Sequence, residues 1–178
     1  MIDRDQAWLI TQAQAEYARC IDSDDLERWP DFFAEKCFYS VTTADNHRDG
    51  LAAGLIWADS HGMLRDRVSA LREANIYERH SYRHILGQPL ARSVGDPGGL
   101  GDPGGLGDVG GLGDLGEGEV ASETPFLVVR IMRDGSTDVF ASGRYLDRWE
   151  FDGGTARLTE RIVVCDSKRI DTLLALPL

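Results

Sequence analysis

The chain lacks the usual means of holding several common prosthetic groups. Its cysteines, Cys20, Cys37 and Cys165, form no CxxC or CxH pair. Neither a zinc site nor an iron–sulfur cluster can be written from their spacing, and they read as buried, reduced thiols. Surplus basic charge is also missing, with 19 Lys and Arg against 30 acids and a formal net charge of −11. Phosphate neutralisation needs surplus cation, which argues against nucleic acid or an anionic membrane as a nonspecific partner. No apolar run approaches the length of a membrane span, and the opening MIDRDQAW has no basic n-region or apolar h-region. A soluble, cytoplasmic protein is expected.

What is present suits one domain: 178 residues, 42% of them apolar, are enough to bury a real core. Ile10, Ala13, Tyr17 and Ile21 recur at helical spacing behind Asp3 and Asp5, which favour the positive end of a helix dipole. Ser23, Asp24 and Asp25 offer capping oxygens to a short second helix with Leu26, Trp29 and Phe33, where Pro30 fits only the first turn or a distortion. CFYSVTT, 37–43, and LIWADS, 55–60, read as strands. Asp59 or Ser60 can cap a third helix with the stripe Leu64, Val68 and Leu71.

From Phe126 to Ser167, three runs of period two are divided by Asp134-Gly135 and by Asp152-Gly153-Gly154, both natural hairpin connections. Phe126, Val128, Met132, Val139, Ala141, Tyr145 and Trp149 are expected to line inner faces. Arg144, Arg148, Arg157 and Arg161 fall on the opposite parity and are expected to face solvent or a partner. Helices followed by a mostly antiparallel sheet make an α+β fold, with a curved sheet wrapped around the helices.

Residues 95–118 repeat the hexapeptides GDPGGL, GDPGGL and GDVGGL and end in the degenerate GDLGEG. The segment matches GxGxxG three times. A dinucleotide fingerprint must open a helix, however, and here none follows, while every repeat carries an aspartate that would repel phosphate. A calcium β-roll has a nonameric repeat, whereas the period here is six. Glycine raises the cost of ordering, so a loosely ordered surface loop is expected.

The densest chemistry lies between Gly62 and Gly87, where Arg65, Arg67, Arg72, Arg79 and Arg83 mix with acids, two tyrosines and two histidines. On a helix, His80 and His84 would be one turn apart and could share a metal. On a strand they share a face but stand about 13 Å apart, at roughly 3.3 Å per residue. The helical stripe fails after Tyr77, because Asn75, Glu78 and Tyr82 would take its apolar positions, which favours a strand from about Arg79 to Leu90. Two such histidines cannot meet on one iron without a bend. Asp59, His61, His80 and His84 would be the candidates for general acid–base work of the dehydratase or isomerase kind, if they converge.

The stretches YARCIDSDDLERWPDFFAEKCFYSV, MLRDRVSALREANIYERHSYRHILG and CDSKRIDTLLALPL resemble the small (β) subunit of Rieske-type aromatic ring-hydroxylating dioxygenases. The likeness is to the terephthalate branch, with anthranilate, halobenzoate and salicylate branches beside it. It covers nearly the whole chain outside Gly95 to roughly Ser122, where the family normally has a short connection. The resemblance implies a cystatin-like, nuclear-transport-factor-like cone and a place in an α3β3 hexamer. The α subunit would hold the Rieske cluster and a mononuclear Fe(II), and a separate reductase would supply electrons from NADH through α. This chain would carry no catalytic, cofactor or metal site of its own. Arginine and tyrosine combine contact area with directed hydrogen bonds, so Arg65, Arg67, Tyr77, Arg79, Tyr82 and Arg83 are the subunit-contact candidates, with Leu176 and Leu178 from the apolar ending beside them.

Overall fold

The computed structural model describes residues 2–51, 54–74, 80–93, 120–168 and 177–178. The glycine-rich repeat, Tyr77, Arg79 and Leu176 lie outside these residues. Helix α1, Arg4–Asp22, starts at a capping box in which the Asp3 carboxylate accepts from the Asp5 N–H while Gln6 Oε1 accepts from the Asp3 N–H. Its buried stripe is Ile10, Gln14, Tyr17 and Ile21, so a glutamine sits inside an apolar row and Ala13 is displaced to its margin. The segment after α1 is a 3-10 helix, Leu26–Phe32, holding Pro30. Proline has no N–H for an α-helical bond, so the tighter turn is the distortion its presence requires.

Strand β1, Phe33–Thr43, begins earlier than its aromatic run suggests; α2, Ala44–Arg48, is capped by the Thr43 hydroxyl; β2, Ile56–Ala58, is short; and α3 spans His61–Ala74. The remaining strands are β3, His80–Leu86; β4, Leu90–Ser93; β5, Val120–Met132; β6, Thr137–Asp152; and β7, Thr155–Cys165. Among the described residues they form one sheet in the order β2-β1-β7-β6-β5-β3, with β4 also on β5. β1 and β7 run parallel and every other pair is antiparallel. This is the α+β cone: α1 lies inside a mixed, mostly antiparallel, unclosed sheet.

The hairpins fall where the sequence places them. Gly153 and Gly154 both take positive φ, 55° and 85°, as a tight β6–β7 turn requires, and Gly135 has φ 85° in the β5–β6 turn. The expected strand from Arg79 to Leu90 is instead broken after Leu86. β3 and β4 pair end to end along β5, and the gap faces Pro125, which has no N–H to donate. At the break, Gly87 packs so close to the Pro125 ring that a Cβ would overlap it.

Bulges account for the other departures. The β5–β6 register slips at Phe140, with Val128 opposite Ala141 but Val129 opposite Val139, so Phe140 turns inward and Val139 is 65% exposed. A second slip leaves Thr159 unmatched between Arg148 opposite Glu160 and Trp149 opposite Leu158. Beyond it the inner face of β7 passes from Ala156 and Leu158 to Arg161, Val163 and Cys165. Arg161 is therefore buried and not solvent-facing. Arg148 stays on the outer face, yet its side chain is only 8% exposed and it pairs with Glu160 at 2.9 Å. Of the four arginines expected to face outward, Arg157 is exposed and Arg144 is half-buried.

Candidate functional site

In a conical fold the concave interior is the natural place for chemistry, and among the described residues it holds a buried polar network. Arg161 donates from Nε to Asp147 Oδ1 at 2.8 Å and from Nη2 to Asp147 Oδ2 at 2.9 Å and to Gln14 Oε1 at 2.6 Å. Gln14 Nε2 completes the ring by donating to Asp147 Oδ2 and to Thr124 Oγ1. The guanidinium lies 4.1 Å from the Tyr17 ring centroid and 4.2 Å from that of Tyr145, a cation between two aromatic faces. Neither Arg161 nor Asp147 is exposed at all. Burial alone would pull the Arg161 guanidinium down, but the charge and hydrogen bonds of Asp147, with Tyr17 and Tyr145, hold it above its ordinary value.

Beside this ring, Trp29 Nε1 donates to the Tyr17 hydroxyl at 2.9 Å, and that hydroxyl donates to the Leu178 carbonyl at 2.9 Å. The Leu178 N–H donates to Tyr39 Oη at 3.2 Å. Burial raises the phenols of Tyr17, Tyr39 and Tyr145, so they stay neutral. Most polar groups of this network bond one another, while the Tyr145 hydroxyl and Arg161 Nη1 are buried without a hydrogen-bond partner.

β3 forms as a strand, with Tyr82 and His84 inward and Ser81 and Arg83 outward. The Tyr82 ring packs against both imidazoles, its centroid 5.2 Å from His80 and 6.1 Å from His84. His84 finds a carboxylate that sequence distance conceals: Nδ1 lies 2.7 Å from Asp22 Oδ1, and the His84 backbone N–H donates to the same carboxylate at 3.1 Å. β3 is a sheet edge, and Asp22, the last residue of α1, satisfies a strand N–H that would otherwise be left open. This contact ties helix to sheet.

Asp59 and His61 stand at the β2–α3 junction, whereas β3 lies at the opposite end of the strand order. The four acid–base candidates are thus not drawn from one place. The donor set also does not fit a Rieske cluster or a mononuclear iron: burial pushes the Cys20 and Cys37 thiols up to about 11 and Cys165 to about 12, and the Cys20 thiol is engaged by the Asp25 carbonyl. Among the described residues no group of three or more His, Cys, Asp or Glu is arranged to hold a metal ion.

Of the contact candidates, Arg65 is exposed, Arg67 half-buried, and the Arg83 side chain 64% exposed with Asp22 3.5 Å away. Tyr82 is not a surface residue: it is 1% exposed, stacked on Phe140, because inward parity on β3 carries it into the core. Leu178 is likewise fully buried within the chain itself. The sequence reading missed Leu51, Leu55 and Trp57 around β2, each at least half exposed, since apolar residues next to a short strand read as core. It also missed Gln14, Asp22 and Asp147; only Gln14 left a signal, as a polar residue at the stripe position between Ile10 and Tyr17.

No protein-family model matches the chain. It is 53% identical to the terephthalate 1,2-dioxygenase terminal oxygenase component subunit beta 2 of Comamonas sp., over 95% of this chain and 96% of that protein. The chain belongs to the β-subunit family of aromatic-ring-hydroxylating dioxygenases. The anthranilate 1,2-dioxygenase small subunit of Burkholderia cepacia is 34% identical over 95% of this chain and 92% of its own length. A crystal structure of a β subunit assigned to an aromatic-ring-hydroxylating dioxygenase of Novosphingobium aromaticivorans superimposes with a TM-score of 0.77 at 34% identity, covering 97% of both chains. As a member of this family, the chain has a non-catalytic, structural role beside an α oxygenase subunit.

Proposed function

We propose that this chain is the small subunit of the oxygenase component of a terephthalate 1,2-dioxygenase. The observation that carries the reading is the 53% identity across 95% of the chain to a terephthalate β subunit, against 34% to an anthranilate one. In this reading three copies join three α subunits as α3β3. The α subunit holds the Rieske cluster and the mononuclear Fe(II) that activates O₂, and a reductase delivers electrons from NADH to α. The product from terephthalate is a cis-dihydrodiol dicarboxylate. A cytoplasmic location goes with the supply of NADH.

Exposed Arg65, Arg83 and Trp57, with half-buried Arg67, supply the contact chemistry, combining directed hydrogen bonds and apolar area. The decisive experiment co-expresses the chain with its α subunit, measures the mass of the complex, and compares turnover of terephthalate and anthranilate after adding reductase and NADH. A hexamer that dihydroxylates terephthalate supports the reading. A hexamer that prefers anthranilate moves the chain to the second branch, for which the 34% relative is the supporting observation. A stable monomer that dehydrates or isomerises a small substrate without iron overturns both.

A further inference from the structure

A groove of about 380 Å³ runs between α1 and the β3–β4 bend and reaches Gln14 of the interior ring. That volume lies within the range of small-molecule sites, roughly 300–1,000 Å³. Its walls are largely apolar, including Ala15 and Ala18 from α1 and Leu86 and Pro89 from the bend, while Arg19 and Arg83 bring guanidinium groups to it. These residues meet because the Asp22–His84 contact fixes the last turn of α1 against β3.

The charges in the groove do not cancel. Asp22 is its carboxylate, and both of its oxygens are engaged, by the His84 N–H and ring and by Arg83 at 3.5 Å. Nothing among the described residues pairs with the Arg19 guanidinium, which is exposed in the last turn of α1. Two arginines against one occupied carboxylate leave one positive charge in a protein of net charge −11. His84 Nε2 is buried without a hydrogen-bond partner, so this end of the molecule keeps an unused polar atom as well.

We propose that this groove binds a small organic monocarboxylate, its carboxylate between Arg19 and Arg83 and its apolar body on Ala15, Ala18, Leu86 and Pro89. A single surplus charge matches a monoanion, and the Asp22 carboxylate disfavours a dianion such as phosphate. Guanidinium groups hold carboxylates through paired charge-assisted hydrogen bonds. The site is read from this chain alone and is independent of the substrate assignment, so failure of one does not bear on the other.

The test titrates the isolated, ¹⁵N-labelled full chain with benzoate, with uncharged benzamide and with inorganic phosphate, following backbone amide shifts. Benzoate is expected to move the signals of Ala15, Ala18, Arg19 and Leu86 and to bind at least about tenfold more tightly than either other probe, the step that one lost charge-assisted contact of about 1.4 kcal/mol produces. Arg19→Gln and Arg83→Gln are each expected to weaken benzoate by about tenfold, and Ala15→Trp to block it, with the thermal midpoint retained. Equal binding of benzoate and benzamide, phosphate binding as tightly as benzoate, shifts confined to other surfaces, or benzoate binding unchanged in the Arg19→Gln/Arg83→Gln double variant would each overturn the proposal.

Discussion

Two arginine sites share helix α1 and teach opposite lessons. On the inner side, Gln14 and Tyr17 enclose Arg161, whose guanidinium is bidentate to Asp147, unexposed, and flanked by two tyrosine rings. On the outer side, Arg19 and Arg83 border an open groove, and the Arg83 side chain is 64% exposed with its carboxylate 3.5 Å away. The inner arginine commits Nε and Nη2 to Asp147 and Gln14 and keeps Nη1 buried where no ligand reaches it, whereas the outer ones are open to something from solution. Residue type does not separate a structural arginine from a recognition arginine; the number of bonds already made does.

The comparison breaks most sharply if the inner pair is cut. Arg161→Met or Asp147→Ala leaves a buried, uncompensated charge or acceptor set, and urea unfolding is expected to show a loss of about 3–5 kcal/mol. Replacing both with apolar residues of similar volume is expected to recover much of that loss, because the pair's desolvation cost disappears with it. A loss no greater for the single variants than for the double would show that the network does not act as a unit.

Next in size are changes that disturb the packing around the ring. A Cβ at Gly143 would meet the Val164 carbonyl and lie 3.0 Å from the Cys165 Cα, so Gly143→Ala forces the β6 and β7 backbones apart. Its expected cost is about 1–3 kcal/mol by thermal unfolding. Tyr17→Phe removes the acceptor of the Trp29 indole N–H and is expected to cost about 1–3 kcal/mol for the same reason that any buried donor left unmatched does. By contrast, Arg72, which joins α3 to Glu27 and Asp24 across a wet surface, is expected to cost about 1 kcal/mol or less when replaced by alanine.

Alkaline pH separates the regions without mutation. Cys165 rises from an ordinary 9.0 to about 12 because burial disfavours its thiolate, and the buried tyrosines rise from 10.0 for the same reason. A group whose folded value is raised stabilises the fold fully below its unfolded value and loses that contribution as pH climbs through the folded one. Stability is therefore expected to decline from about pH 9 toward pH 12, led by interior groups. At neutral pH, Cys20, Cys37 and Cys165 should all resist a thiol reagent in the native chain and react together on unfolding; fast labelling of any one of them in the native state would contradict the interior described here.

Much of the fold is legible from short-range pattern: the α1 stripe, the Gly153-Gly154 turn and the loss of helical period after Tyr77 each depend on neighbours in sequence. The errors arise where one residue shifts a long register. The unmatched Thr159 turns Arg161 inward, and the extra residue at Phe140 turns Val139 outward, although the period-two reading is sound on either side of each bulge. The α1–β3 contact was out of reach for another reason. Asp22 and His84 are 62 residues apart, and nothing local marks that carboxylate as the partner of an edge strand.

Iron content per chain is the most direct measure of whether this subunit is scaffold or catalyst. The chain should be purified alone and with a co-expressed α subunit, and metal assayed in both. The proposed function predicts iron in the assembled oxygenase and none bound in proportion to protein by the isolated chain, in which Arg161, Asp147 and Leu178 are fully buried. Stoichiometric iron on the isolated chain, removed by replacing His80 and His84, would contradict it.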